Sequence, residues 1–184
     1  MVLVDTVVPP GSATSRRDPT PLPRGHPARC RSASSAYKVT HLLSGFVPAP
    51  FELYDSKGKL VKLDDFKGKY IYLNFCTTSS YTCLQEFTLL QKLYEKHKKL
   101  LEIVTICVDN DKQDISNLLQ NTGYNWTFLH YGNKPEIVKD FDIRAYPTYF
   151  LIGPDRKLIL SPAPSPRENF EVQFFKILRS KGEI

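Results

Sequence analysis

The chain has 184 residues, with 25 Lys and Arg against 19 Asp and Glu, and four cysteines. This length suits one domain, which can bury an ordinary core without a disulfide framework. No apolar run approaches the roughly 18–20 residues that cross a bilayer, and the composition excludes collagen-like, coiled-coil and disulfide-scaffold proteins.

The net charge of +6 does not indicate nucleic-acid binding. Five arginines and two aspartates within residues 1–36 give +3, so the other 148 residues carry only +3. Those residues contain no basic stripe interleaved with aromatic side chains, the pattern typical of nucleic-acid recognition. We therefore expect no nucleic-acid partner.

Residues 1–36 differ in composition from the rest of the chain. They hold six of the 14 prolines and no aromatic residue. Such a segment buries too little apolar surface to offset the entropy of ordering, so we expect it to be disordered. It has no secretory-signal pattern and is either a natural linker or, the interpretation we favour, a leader foreign to the protein. Cys30 in it is expected to be a free thiol, and the predicted domain is residues 37–184.

From Tyr37 onward, strand-like and helix-like apolar periodicities alternate. Residues 51–54 and 60–63 flank an Asp-Ser-Lys-Gly turn and predict a hairpin. The later segments predict an α/β sandwich with a mixed central sheet and the element order β-β-β-α-β-α-β-α-β-β-α. The later strands are predicted at 70–75, 101–108, 127–130, 148–152 and 157–160. The helices are predicted at 83–97, from an Asp114 cap to 120 with Gly123 as the stop, 135–141, and from an Asn169 cap to 179.

Two segments carry the candidate chemistry. Residues 74–87 read Asn-Phe-Cys-Thr-Thr-Ser-Ser-Tyr-Thr-Cys-Leu-Gln-Glu-Phe, and residues 143–152 read Ile-Arg-Ala-Tyr-Pro-Thr-Tyr-Phe-Leu-Ile. With the β/α order, they resemble the thioredoxin-like superfamily over about residues 46–180, in particular the TlpA/ResA-type thiol–disulfide oxidoreductases, relatives of the AhpC/TSA redoxins. The resemblance implies a thioredoxin-like three-layer α/β/α sandwich with a mixed central sheet and an N-terminal β-hairpin.

The two-cysteine motif of that family is altered in this chain. Aligned without gaps on Asn-Phe-Trp-Ala-Thr-Trp-Cys-x-x-Cys, Cys76 replaces the first Trp, Ser80 replaces the first Cys, and Cys83 keeps the second. Glu86 matches an acidic residue three positions later. A serine hydroxyl neither ionises near neutral pH nor forms a mixed disulfide, so the resemblance implies a degenerate Ser-x-x-Cys site with weak or no disulfide exchange.

The residue types leave alternatives open at this site. Ser80 is expected to cap the helix by accepting from the amide of Thr82 or Cys83, and it is either natural or a substitution of the natural cysteine. Cys83 is either a buried inert thiol or a reactive one. Cys76 is a candidate second thiol, since a six-residue loop permits but does not force a disulfide with Cys83.

Pro147 matches the proline that is cis in thioredoxin-like proteins and faces the active-site helix. The resemblance implies that Tyr146 presents backbone groups to an extended peptide there. An ordinary trans proline entering a strand edge is the alternative. The resemblance also implies protein or peptide thiols and disulfides as partners, no cofactor, and a periplasmic or cell-envelope location in a bacterium.

Two further functions stay open. Ser80-x-x-Cys83 resembles the second half of the peroxiredoxin pattern Pro-x-x-x-Thr/Ser-x-x-Cys, which would make Cys83 the centre of a one-cysteine thiol peroxidase. Cys76 stands where the proline of that pattern belongs, and Arg144 lies three residues from the position of its arginine. The other possibility is a non-catalytic binding module.

No metal site is predicted. The spacing of Cys76, Cys83 and His130 does not fit the copper-carrying members of the superfamily. Cys107 is expected to be a core residue of its strand.

Overall fold

The structure, a computed structural model, describes residues 42–184. The predictions for residues 1–36, including the thiol of Cys30, and the start of the predicted domain at residue 37 lie outside the described residues.

A single mixed sheet of seven strands runs through the domain. Its strands are β1 (Glu52–Asp55), β2 (Leu60–Lys62), β3 (Tyr70–Cys76), β4 (Leu101–Cys107), β5 (Thr127–His130), β6 (Thr148–Ile152) and β7 (Leu158–Ala163). Their spatial order is β2-β1-β5-β4-β3-β6-β7. The three central strands β5, β4 and β3 are parallel, and every other pairing is antiparallel. The predicted mixed sheet and N-terminal hairpin are therefore confirmed.

Helices cover both faces of the sheet, which confirms the predicted three layers. The helices are α1 (Tyr81–His97), α2 (Lys112–Thr122), α3 (Pro135–Asp140) and α4 (Phe170–Ser180), with short 3-10 turns at Leu63–Phe66 and Pro166–Glu168. Phe87 of α1 and Phe174 of α4 pack in the apolar cluster on one face. Ile137 of α3 packs in a second cluster on the other face. None of the helices within residues 42–184 combines the length and apolar character needed to cross a membrane.

Strand β3 is buried along its whole length, as its apolar sequence predicts. Because successive side chains of a strand point to opposite faces, Tyr72 and Cys76 join the α1/α4 cluster while Phe75 joins the other. The Tyr72 ring stacks on Phe170, with 3.7 Å between ring centroids, and its hydroxyl donates to the Pro164 carbonyl at 2.6 Å. This packing fixes β3 against the helices on one face of the sheet. The candidate site lies at the C-terminal end of β3.

Some predicted boundaries were wrong. Helix α2 begins three residues earlier than predicted because Asp111, not Asp114, is its N-cap and accepts from the Gln113 amide at 2.9 Å. Gly123 ends α2 in the left-handed region, as predicted. Strand β7 continues past residue 160 and includes Pro162, which the sheet tolerates because β7 is an edge strand.

Candidate active site

The candidate site lies where β3 ends and α1 begins. Cys76 is the last residue of β3, and Cys83 lies in the first turn of α1. Ser80 is the N-cap, and its hydroxyl oxygen accepts from the Cys83 amide at 3.4 Å. The capping role predicted for Ser80 is confirmed, with Cys83 rather than Thr82 as the donor. A short polar loop therefore places residues 80 and 83 one turn apart at the helix N-terminus.

Asp109 holds this loop in place, a role that the motif alignment did not reveal. Its buried carboxylate accepts from the Thr78 amide at 2.9 and 3.1 Å and from the Thr78 hydroxyl at 2.8 Å. Asp109 follows β4, the parallel neighbour of β3, so the carboxyl ends of the two strands lie side by side. Its position just beyond a predicted buried strand is the one feature of the sequence that could have suggested it.

Three free thiols meet beneath the start of α1. Cys76, Cys83 and Cys107 are each 0% exposed and belong to one buried cluster. Cys76 and Cys107 are register partners on the parallel strands β3 and β4. The Cys76 thiol lies close enough to both of the other thiols for them to contribute to raising its pKa. Cys107 is a core residue, as predicted, and it also borders the candidate site.

The surroundings make the Cys83 thiol unusually acidic. The hydrogen bond from Cys76, helped by Ser80 and by the backbone at Thr77, lowers the pKa of Cys83 from its ordinary 9.0 to about 6, against the opposing effects of burial and Asp109. Burial raises the pKa of Cys76 well above its ordinary range. At neutral pH the pair is thus one thiolate on α1 and one thiol on β3 that donates to it.

We expect a thiolate to titrate with a midpoint near pH 6 and to disappear in Cys83→Ala. Ultraviolet absorbance of the thiolate measures it, in a Cys30→Ser background that removes the thiol outside the described residues. Cys76→Ala takes away the main stabilising hydrogen bond and should raise the pKa of Cys83. An unchanged midpoint in that variant would contradict this assignment.

The same shift predicts how stability depends on pH. Since the pKa of Cys83 is lower in the folded state, the unfolded chain binds more protons between roughly pH 6 and 9, and the free energy of unfolding should rise with pH across that window. This contribution is complete above pH 9 and is lost as the pH falls through 6. Urea titrations of the unsubstituted chain and of Cys83→Ala, repeated across the window, should differ in slope.

The Tyr146–Pro147 segment, for which the resemblance implies a peptide groove, lies near the thiols. The Tyr146–Pro147 peptide bond is cis, so the alternative of a trans proline is wrong. Burial, with smaller contributions from Tyr131 and Cys83, raises the pKa of the half-buried Tyr146, which places its ring near the site. Within residues 42–184, no hydrogen bond engages the backbone N–H or C=O of Tyr146. Tyr81, at the start of α1, is 74% exposed.

The other predicted or considered site residues lie as follows. Arg144 is exposed and ion-paired with Asp142 at 2.8 Å. His130 has both ring nitrogens engaged, one with the Asp109 carbonyl at 2.8 Å and one accepting from the Gly132 amide at 3.0 Å. Among the described residues, no group of three His, Cys, Asp or Glu side chains is arranged to hold a metal ion.

Glu86 lies one turn beyond Cys83 on α1. Its carboxylate is almost fully buried, and Oε1 is 3.3 Å from Arg167 Nε. Burial of a carboxylate is costly unless it is paired, and Arg167 supplies that partner from the 3-10 turn before α4. Glu86, the acidic residue that matches the family pattern, is thus buried and paired within the helical layer that packs on the sheet.

Known proteins resemble this chain in sequence and in fold. The redoxin family profile matches residues 44–172. The thiol-disulfide oxidoreductase ResA of Bacillus subtilis (strain 168) is 32% identical over 110 residues, which cover 59% of this chain and 61% of that protein. ResA of Bacillus thuringiensis subsp. konkukian is 34% identical over 111 residues, with 59% of this chain and 63% of that protein covered. The chain thus spans about three-fifths of the length of these curated relatives.

A solved structure extends the likeness to the fold. The thioredoxin domain of a thiol-disulfide oxidoreductase from Bacteroides vulgatus superposes with a TM-score of 0.66 at 23% identity, covering 72% of this chain and 97% of that domain. At this identity the likeness shows the fold alone. Because the family profile covers well over half of the sequence, the chain belongs to the redoxin family, as a thioredoxin-fold protein similar to the ResA thiol–disulfide oxidoreductases.

Proposed function

We propose that this domain binds an extended peptide segment in the groove at Pro147 but does not turn over protein disulfides. The observation that carries the proposal is the pair Ser80 and Cys83 at the N-terminus of α1. Ser80 is the N-cap where the family has its attacking cysteine, while the thiol that is kept, on Cys83, is 0% exposed.

The chemistry of exchange explains why turnover is lost. A thiolate must attack the substrate disulfide and form a mixed disulfide, which a second thiol then resolves. The Ser80 hydroxyl cannot perform the first step. The Cys83 sulfur is ionised near neutral pH, yet it is covered, so a folded or bulky substrate cannot reach it. The domain therefore keeps the resolving thiol of the cycle without the attacking one.

The groove supports peptide binding without turnover. An extended peptide gains most of its affinity from main-chain hydrogen bonds, with side-chain pockets adding specificity. Tyr146 offers a backbone N–H and C=O that are unused among residues 42–184, next to the cis bond to Pro147. None of these groups depends on a cysteine.

Two measurements on the full chain test this proposal. In an insulin-reduction assay with dithiothreitol, the chain should give no rate above dithiothreitol alone. Fluorescence anisotropy should detect binding of a labelled, carboxymethylated insulin B chain, which has no thiol to exchange. Tyr146→Pro removes the backbone N–H of that position and should weaken the binding, whereas Cys83→Ala, the control, should leave it unchanged. Robust insulin reduction, or binding that is lost in Cys83→Ala alone, would refute the proposal.

A one-cysteine peroxidase is the second candidate, and the low pKa of Cys83 favours it, since peroxide reacts with thiolates. Two features oppose fast turnover: the Cys83 sulfur is covered and is reached only on local opening, and Arg144 is exposed and paired with Asp142. We therefore rank it below peptide binding.

A further inference from the structure

We propose that Cys76 and Cys83 form a redox pair inside this domain, which a small-molecule disulfide converts into an internal disulfide between the end of β3 and the first turn of α1. The pair would replace the lost Cys-x-x-Cys with a spacing of seven residues. This inference goes beyond the proposed function and does not depend on peptide binding.

The closeness of the two thiols is the first support. Cys76 and Cys83 lie in one buried, apolar cluster, close enough for each thiol to shift the pKa of the other. Disulfide formation requires two β-carbons that approach closely, and the loop of residues 77–82 already brings the strand end and the helix start together.

The third thiol, on Cys107, competes for Cys76 but is the poorer partner. Cys76 and Cys107 both lie at strand ends whose carbonyls accept bonds, from the Val108 amide at 2.8 Å and the Tyr131 amide at 3.0 Å respectively. These bonds restrict movement of the backbone at Cys76 and at Cys107. The Cys83 amide, in the first turn of α1, donates to the Ser80 hydroxyl over a longer 3.4 Å, so its backbone can adjust more freely to the geometry of a disulfide.

The site also supplies the attacking group. Cys83 lies at the N-terminus of α1, where the helix dipole and the hydrogen bond from Cys76 favour a thiolate. Local opening of the first turn is needed for the oxidant to reach it, because the sulfur is covered in the closed state. We therefore expect oxidation to be slow and to be best measured at equilibrium.

The reaction balances in two exchange steps. The Cys83 thiolate attacks one sulfur of the small disulfide, forms a mixed disulfide and releases one thiolate. The Cys76 sulfur then attacks the Cys83 sulfur, the bond to the small thiol breaks, and the proton of Cys76 leaves with that second thiol. The two protein thiols are oxidised, and one small disulfide is reduced to two thiols.

Peptide mapping after equilibration of the Cys30→Ser chain with reduced and oxidised glutathione tests the inference. Trypsin releases residues 70–92, which contain both Cys76 and Cys83, and residues 100–112, which contain Cys107 alone. In excess oxidised glutathione, most of the 70–92 peptide should be two hydrogens lighter and resist alkylation, while Cys107 remains alkylated. In reduced glutathione, all three cysteines should be alkylated.

Two variants provide matched controls. Cys107→Ala should keep the internal disulfide, whereas Cys76→Ala should abolish it and leave Cys83 alkylated or bound to glutathione. A cross-link between peptides 70–92 and 100–112, or alkylation of both Cys76 and Cys83 at every glutathione ratio, would overturn the inference. The mapping of the chain with Cys76, Cys83 and Cys107 all present decides this even if a variant does not fold. It is also independent of the insulin assay, so the two proposals fail separately.

Discussion

Replacing Ser80 with cysteine is expected to give the domain catalytic disulfide-exchange activity. The new thiol would occupy the N-cap of α1, where backbone amides and the helix dipole stabilise a thiolate, and it would lie three residues before the buried Cys83. The thiol at position 80 would then attack the substrate disulfide, and the Cys83 thiol would resolve the mixed disulfide. Insulin reduction should rise from the rate of dithiothreitol alone to catalytic turnover.

Two controls isolate the cause of that gain. Ser80→Ala removes the hydroxyl cap without adding a thiol and should stay inactive, with a stability loss of about 1 kcal/mol. Ser80→Cys combined with Cys83→Ala should attack but not resolve, so it should accumulate mixed disulfides with its substrate. If Ser80→Cys reduces insulin no faster than the unsubstituted chain, then the loss of turnover has another cause than the missing sulfur.

Phe87→Ala is expected to cause the largest loss of stability, about 3–5 kcal/mol of the free energy of unfolding. The Phe87 ring is 0% exposed and makes edge contacts with Tyr124, Trp126 and Phe128 at centroid distances of 5.8, 5.9 and 5.6 Å. Truncation leaves a cavity between α1 and the sheet that these rigid rings cannot fill. Urea unfolding followed by circular dichroism measures the loss.

Tyr81→Ala is the matched control on the same helix. Tyr81 is 74% exposed, so its removal should change the free energy of unfolding by no more than about 0.5 kcal/mol. Similar losses in the two variants would show that the buried cluster is not what stabilises α1. Since Tyr81 is exposed at the start of α1, next to Ser80, the same variant can also be tested for peptide binding.

The fold was largely predictable because its signals are local. The strand 70–75 is nearly all apolar, and in the structure it is the buried central strand β3. The helix predicted from residue 83 has its apolar side chains at three- and four-residue steps, and Phe87 and Leu90 lie in the core. The boundaries were harder to predict, since two aspartates, Asp111 and Asp114, both suit a helix N-terminus and only the backbone geometry selects between them.

The candidate site was only partly predictable. Its residues on β3 and α1 are close in sequence, so the motif alignment placed Ser80 and Cys83. Asp109 and Cys107 come from the next parallel strand, and their approach depends on strand register, which no local pattern reports. The acidity of Cys83 is likewise a property of three-dimensional contacts, above all the hydrogen bond from Cys76.

The two outer strands of the sheet have a consequence for self-association. A strand at an open edge invites pairing with another copy of the chain, which leads to fibres or aggregates. Here β2 is only three residues long, follows Lys59 and ends with Lys62, while β7 carries Pro162, which has no N–H to offer a further strand. The short length and lysines of β2 therefore disfavour pairing with a second molecule at that edge. The missing N–H of Pro162 disfavours it at the edge formed by β7.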